Sequence, residues 1–228
     1  RGCSALDGAP GRWFGRDVLL DGDLAFVSAP PPSGFAGAVY VFQRVGNSWL
    51  QSAKLTSPSP VLGDGFGTAI ARVGSSLLVS SPPQAAIYEF RPDSGGKWNY
   101  ALSIGSPRVS TRFGASLAST DSLLFVGDPG ASQNHGRVHV YSPGTLSWSF
   151  ELGIDSPDFS PDSGFGETLS VSVPRLVVGA PTHGWGTPGS NRGAAFAFKL
   201  GLGVACTSGA GCPSGFCVEG VCCATGCN

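Results

Sequence analysis

Apolar residues along the chain fall into short runs separated by turns rich in Gly, Pro and Ser. Four of these runs are variants of one another: Ala25-Phe26-Val27-Ser28-Ala29-Pro30, Leu77-Leu78-Val79-Ser80-Ser81-Pro82, Leu124-Phe125-Val126-Gly127-Asp128-Pro129 and Leu176-Val177-Val178-Gly179-Ala180-Pro181. Runs of this length bounded by turn residues predict buried β-strands. Sixteen residues before each proline stands a Phe-Gly pair, at Phe14-Gly15, Phe66-Gly67, Phe113-Gly114 and Phe165-Gly166, so the spacings are 52, 47 and 52 residues. After a variable loop each unit has a strand with ring side chains two apart: Tyr40/Phe42, Tyr88/Phe90, His139/Tyr141 and Phe196/Phe198. That spacing puts both rings on one face of the strand. Three units continue into a further strand carrying Trp49, Trp98 or Trp148. No stretch has helical periodicity.

Each unit therefore reads as four short strands, with Asp21-Gly22 and Val73-Gly74 as tight turns between the first two. A four-stranded unit of this size buries its faces only against its neighbours, which is the logic of a propeller blade. The predicted fold is all-β: a propeller of about four four-stranded blades over residues 1–203, in units starting near Phe14, Phe66, Phe113 and Phe165. A small disulfide-rich tail follows at residues 204–228. Unit four lacks its Trp strand, and Ser4-Ala5-Leu6-Asp7-Gly8 reads as the end of a fourth strand leading into the first Phe-Gly. Two arrangements follow. The ends meet and close a four-bladed ring, which is the expectation, or they pair with neighbouring subunits, because an unpaired edge is a template for strand addition.

The Phe-Gly pair, the strand ending Val178-Gly179-Ala180-Pro181, the stretch Gly37-Ala38-Val39-Tyr40-Val41-Phe42 and a Trp strand ending near Lys54-Leu55 together resemble the FG-GAP repeat. That repeat builds integrin α-subunit heads and many bacterial surface proteins, and the resemblance spans about residues 6–200. It implies an extracellular propeller used for recognition. Many blades of that family carry an Asp-rich calcium loop before the second strand. The segments here, Leu20-Asp21-Gly22-Asp23, Val73-Gly74-Ser75-Ser76, Thr120-Asp121-Ser122 and Val173-Pro174-Arg175, are short and poor in acids. Calcium needs six to eight oxygen ligands, so none is expected there. Asp155, Asp158 and Asp162 are interrupted by Pro157 and Pro161 and read as a solvated loop. No metal and no cofactor are predicted. Blade number departs too, since integrin-type propellers have seven.

Composition narrows the setting. Charged residues make up 13% of the chain and the net charge is −1. The basic surface that supplies nucleic-acid affinity is missing, so nucleic acid is not an expected partner. No apolar run approaches the roughly 20 residues of a membrane helix. The chain opens on Arg1-Gly2-Cys3 without a recognisable signal peptide, as a processed or excised product would. Cys206, Cys212, Cys217, Cys222, Cys223 and Cys227 crowd one short polar tail without a His. Disulfides fit this better than zinc and point to an oxidising, secreted or cell-surface location. Cys3 is left for a bond between the chain ends or between molecules.

Candidate chemistry is sparse. His139 occupies a ring position of the repeat and reads as packing; His135 and His183 lie in variable loops, where exposure is expected. No Gly-x-Ser-x-Gly or His-Glu-x-x-His motif occurs, and Gly184-Trp185-Gly186-Thr187-Pro188-Gly189 precedes a strand instead of opening a helix. No catalytic residue is nominated, and the protein is expected not to be an enzyme. Trp185, outside every repeat position, is the candidate binding-loop anchor. The expected function is protein recognition, adhesion or surface assembly. The alternatives are a fibre or surface-layer subunit joined through its split fourth blade and cysteines, and a carbohydrate-binding propeller. Partners would be another protein, copies of the chain itself, or a glycan.

Overall fold

A computed structural model describes residues 4–5, 13–31, 35–108, 110–157, 162–184 and 192–200, with the backbone of residues 216–218 and 221–223. The four sequence units form four separate antiparallel sheets in a propeller arrangement. Blade 1 comprises β1 (Val18–Asp21), β2 (Leu24–Ala29), β3 (Ala38–Val45) and β4 (Ser48–Leu55). Blade 2 comprises β5 (Ile70–Val73), β6 (Ser76–Ser81), β7 (Ala86–Pro92) and β8 (Trp98–Gly105). Blade 3 comprises β9 (Ser116–Ser119), β10 (Leu124–Asp128), β11 (Arg137–Pro143) and β12 (Trp148–Asp155). Blade 4 has three strands, β13 (Thr168–Ser172), β14 (Arg175–Ala180) and β15 (Ala194–Lys199). A hairpin in the tail pairs β16 (Phe216–Val218) with β17 (Val221–Cys223) and sets Cys217 opposite Cys222.

Strand order is a simple meander in every blade; the first pair of strands is joined by a two-residue turn in blades 1, 2 and 4 and by four residues in blade 3. Gly22 and Gly74 supply the positive φ (58° and 56°) that the first two of these turns require. The third and fourth strands carry a bulge at one repeat position, Val41/Phe42, Glu89/Phe90 and Val140/Tyr141. Such a bulge bends and twists the strand pair in the same way in all three blades.

Register decides which side chains reach which neighbour. Phe26 pairs with Val41, so these two face blade 2, while Val27 and its partner Tyr40 face the other way. The blade 1–blade 2 core joins Phe26, Val39, Val41 and Leu55 to Phe66, Ile70, Leu77 and Val79. Arg72 also enters this junction, its guanidinium 5.4 Å from the Phe26 ring and 5.6 Å from Trp98, with Asp21 at 3.3 Å. Blade 2 meets blade 3 through Leu78, Ile87, Phe113, Leu124 and Val126; blade 3 meets blade 4 through Phe125, Val138, Phe165, Leu176 and Val178.

The Phe-Gly pair explains itself in this frame. Each Phe stacks on the two rings of its own blade: Phe66 on Tyr88 and Phe90 at 5.8 and 5.9 Å, Phe165 on Phe196 and Phe198 at 5.6 and 6.0 Å. The glycine that follows lies against the preceding blade. A Cβ on Gly67 would come within 3.0 Å of the Ala38 carbonyl, and one on Gly114 within 2.8 Å of the Ser80 side chain. Asp64, two residues ahead of Phe66, ties the loop down by accepting the amides of Gly37 and Phe66 at 2.9 and 3.1 Å.

The segments expected to close the ring, beyond Ala5 at one end and after Leu200 at the other, lie outside the described residues. The inner strands pack in series, β1 on β5, β5 on β9 and β9 on β13. Val18 and Leu20 on β1 are 66% and 69% exposed, although Ile70, at the repeat position of Val18, is buried against blade 1. Val177 is 41% exposed, while Phe26, Leu78 and Phe125 at the same repeat position are fully buried. Val177, Ala195 and Ala197 are also smaller than their counterparts Phe26, Val39 and Val41 in blade 1. Among the described residues the four blades form an open arc.

Candidate interaction surfaces

Three places in the arc combine unusual exposure or unusual chemistry. The first is the outer end of blade 1, where Trp13, Val18 and Leu20 are exposed beside a buried layer of Val27, Ala29, Ala38, Tyr40 and Phe42. Phe14 and Ala5 cover that layer, with Phe14 edge-on to Tyr40 at 5.4 Å. The second is the far face of blade 4. Strand alternation puts Thr168, Ser170, Ser172, Arg175, Val177, Ala195, Ala197 and Lys199 on it, and all eight are exposed.

The third is a rim patch between blades 1 and 2. Phe35, Val61 and Leu62 are exposed on two loops that the Gly63 amide joins by donating to the Phe35 carbonyl at 2.8 Å. The buried Asp64 carboxylate anchors the same two loops through Gly37. Exposed apolar side chains on loops held this firmly are unusual outside binding surfaces.

A buried polar cluster lies between blades 2 and 3. Asp128 and His139 are each 1% exposed, with His139 Nε2 3.4 Å from Asp128 Oδ2. Neither of these two atoms makes a hydrogen bond among the described residues, and the Tyr141 hydroxyl is also unpaired there. The Ser110 hydroxyl donates to the other Asp128 oxygen. Burial, and then the Asp128 charge, push the Tyr141 hydroxyl up to about 12. The His139 ring packs edge-on to Phe113 at 5.5 Å, as its repeat position predicts.

Across the same junction Glu89 is fully buried. Burial works to raise its pKa, but hydrogen bonds from Arg91, Ser76 and Trp148 outweigh it and hold the carboxyl below its usual range. Trp148 Nε1 donates at 2.9 Å and Arg91 Nε at 2.6 Å. Trp148 thus carries a polar contact between blades that its packing position did not announce.

Of the residues singled out in the sequence, Cys3, Trp185, Cys206, Cys212 and Cys227 lie outside the described residues. Cys217, Cys222 and Cys223 are described in backbone only, on β16 and β17. His183 corrects an expectation: it is buried, not exposed, and packs edge-on to Phe196 at 5.6 Å. Its carbonyl accepts the Arg192 and Gly193 amides, so it closes the loop from inside. Asp162 hydrogen-bonds Asn134 at 3.0 Å across the blade 3–blade 4 junction. Among the described residues no group of three or more His, Cys, Asp and Glu is placed to hold a metal ion, and no helix is long and apolar enough to cross a membrane.

Residues 4–42, which run through β1 and β2 into β3, match the family model of the FG-GAP repeat. The greater part of blade 1 is thus similar to an FG-GAP repeat. The other blades share the Phe-Gly loop and the strand order of blade 1. No curated protein matches the chain.

Proposed function

We propose that this FG-GAP propeller is an extracellular, non-enzymatic module for protein recognition. The reading rests on the rim patch of Phe35, Val61 and Leu62, carried on loops that Asp64 pins to a rigid pair of blades. Apolar side chains already fixed in place lose little entropy when a partner covers them, so they bind more tightly per unit area than mobile ones. The cysteine-rich tail supports an oxidising location, and the scarcity of charge suits a surface that makes apolar contacts. Adhesion and surface assembly are the forms of recognition that the repeat resemblance favours.

The test is binding of the fluorescently labelled chain to cells of its source. Saturable binding that disappears when the cells are shaved with protease supports recognition of a protein. Leu62→Asp, at a 75% exposed position, should weaken that binding about tenfold or more without changing the fold. Binding that resists protease and is lost on glycosidase treatment would replace this reading with the carbohydrate-binding one.

A further inference from the structure

The three junctions inside the arc share one geometry, and its two halves recur, uncovered, at the two ends. The incoming half is a Phe-Gly loop whose glycine has a φ of 91° at Gly67, 86° at Gly114 and 92° at Gly166. In each case that glycine lies against the penultimate strand residue of the preceding blade: Gly67 against Ser28, Gly114 against Ser80 and Gly166 against Gly127. Blade 1 retains the incoming half. Gly15 has a φ of 90°, and a Cβ built on it would meet nothing within 4 Å.

Blade 4 retains the receiving half, with Gly179 at the repeat position of Ser28, Ser80 and Gly127. The correspondence extends to one hydroxyl. In blade 3 the Ser116 hydroxyl donates to the Gly166 carbonyl across the junction at 2.8 Å, and a Cβ on Gly127 would come within 2.3 Å of that hydroxyl. In blade 4 Thr168 stands at the position of Ser116, and a Cβ on Gly179 would come within 2.2 Å of its hydroxyl. The donor is therefore in place for the next Phe-Gly loop. Beside it, β15 has no fourth strand among the described residues, whereas β3, β7 and β11 each have one. At the other end Ala5 packs with Phe14, nine residues ahead of it, as Ile104 packs with Phe113 nine residues on.

We propose that the bare face of blade 4 receives blade 1 of a second copy of this chain, with Gly15 of that copy seated on Gly179 and its carbonyl accepting the Thr168 hydroxyl. The surface continues the interface already built three times within the arc, which is why a second copy is the fitting occupant. Val18 and Leu20 on the incoming end and Val177, Ala195 and Ala197 on the receiving end would leave water together. Because these receiving side chains are smaller than those at the internal junctions, the association buries less apolar area and is reversible. It is also head-to-tail, so two or more copies close into a ring or continue as a fibre.

Sedimentation velocity of the full chain over micromolar to millimolar concentration, with and without reductant, tests this. The wild-type mass should rise with concentration in both conditions. Leu20→Asp spoils only the incoming end and Val177→Asp only the receiving end, so each variant alone stays monomeric with unchanged circular dichroism. An equimolar mixture of the two should form a one-to-one dimer and nothing larger, because one competent end remains on each partner. A wild type that is monomeric throughout, variants that associate as the wild type does, or a mixture that stays monomeric would each overturn the proposal. Such a monomer that still bound cells would leave protein recognition standing, since the rim patch lies elsewhere.

Discussion

Asp128 and His139 offer the sharpest quantitative test of how the blades are held together. They are a buried acid–base pair at positions where blade 4 has Ala180 and Phe196, and where blades 1 and 2 have Ala29 with Tyr40 and Ser81 with Tyr88. His139→Phe leaves Asp128 with the Ser110 hydroxyl alone, its second oxygen still fully enclosed. Removing one partner of such a pair costs about 3–5 kcal/mol. Asp128→Ala is milder, at about 1–3 kcal/mol, because the Ser110 hydroxyl is the hydrogen-bonding group that loses its acceptor. The double variant gives blade 3 the Ala and Phe of blade 4 and removes both desolvated groups, so its stability should return to within about 1 kcal/mol of wild type or exceed it. The coupling from the double-mutant cycle should then be at least about 2 kcal/mol. Equilibrium urea unfolding at pH 7, with the disulfide state held constant across all four proteins, measures it. Single variants within about 0.5 kcal/mol of wild type, or a double variant as unstable as the two losses added, would refute the reasoning.

Glu89 makes the blade 2–blade 3 junction sensitive to acid. Its carboxyl is held below the usual range in the folded protein, so its contribution is present above the unfolded value of about 4.3 and is lost as pH falls through the lower folded value. The melting temperature of wild type should therefore fall more steeply than that of Glu89→Gln between neutral pH and pH 3; parallel curves would contradict this. At the loop between β10 and β11, Ser132, Gln133 and Asn134 all adopt positive φ (53°, 61° and 67°), a left-handed turn that costs a side-chain-bearing residue about 1–2 kcal/mol. Gln133→Gly should stabilise the protein by about 1 kcal/mol in the same urea assay, and a destabilisation would show that the exposed Gln133 side chain makes a contact of its own.

The sequence by itself determined the construction of each blade. Phe-Gly spacing, the strand ending in proline and rings two apart state a period, and the period of a strand or turn is local: it depends on which residues alternate and which accept positive φ. For that reason the four units and the packing role of His139 were legible. Relations between blades were not. His183 sits in a loop whose composition predicts exposure, yet the chain folds it under Phe196, and no local signal records that. The pairings of Glu89 with Trp148 and of Asp128 with His139 depend on register across separate strands, which spacing along the chain does not specify. The ends of the arc follow the same rule. Val177, Ala195 and Ala197 are ordinary strand residues in sequence, and only the stacking of the blades shows that Val177 is exposed where Phe26, Leu78 and Phe125 are buried. Burial is a property of two surfaces at once, so only the tertiary structure shows which faces of the four blades are covered.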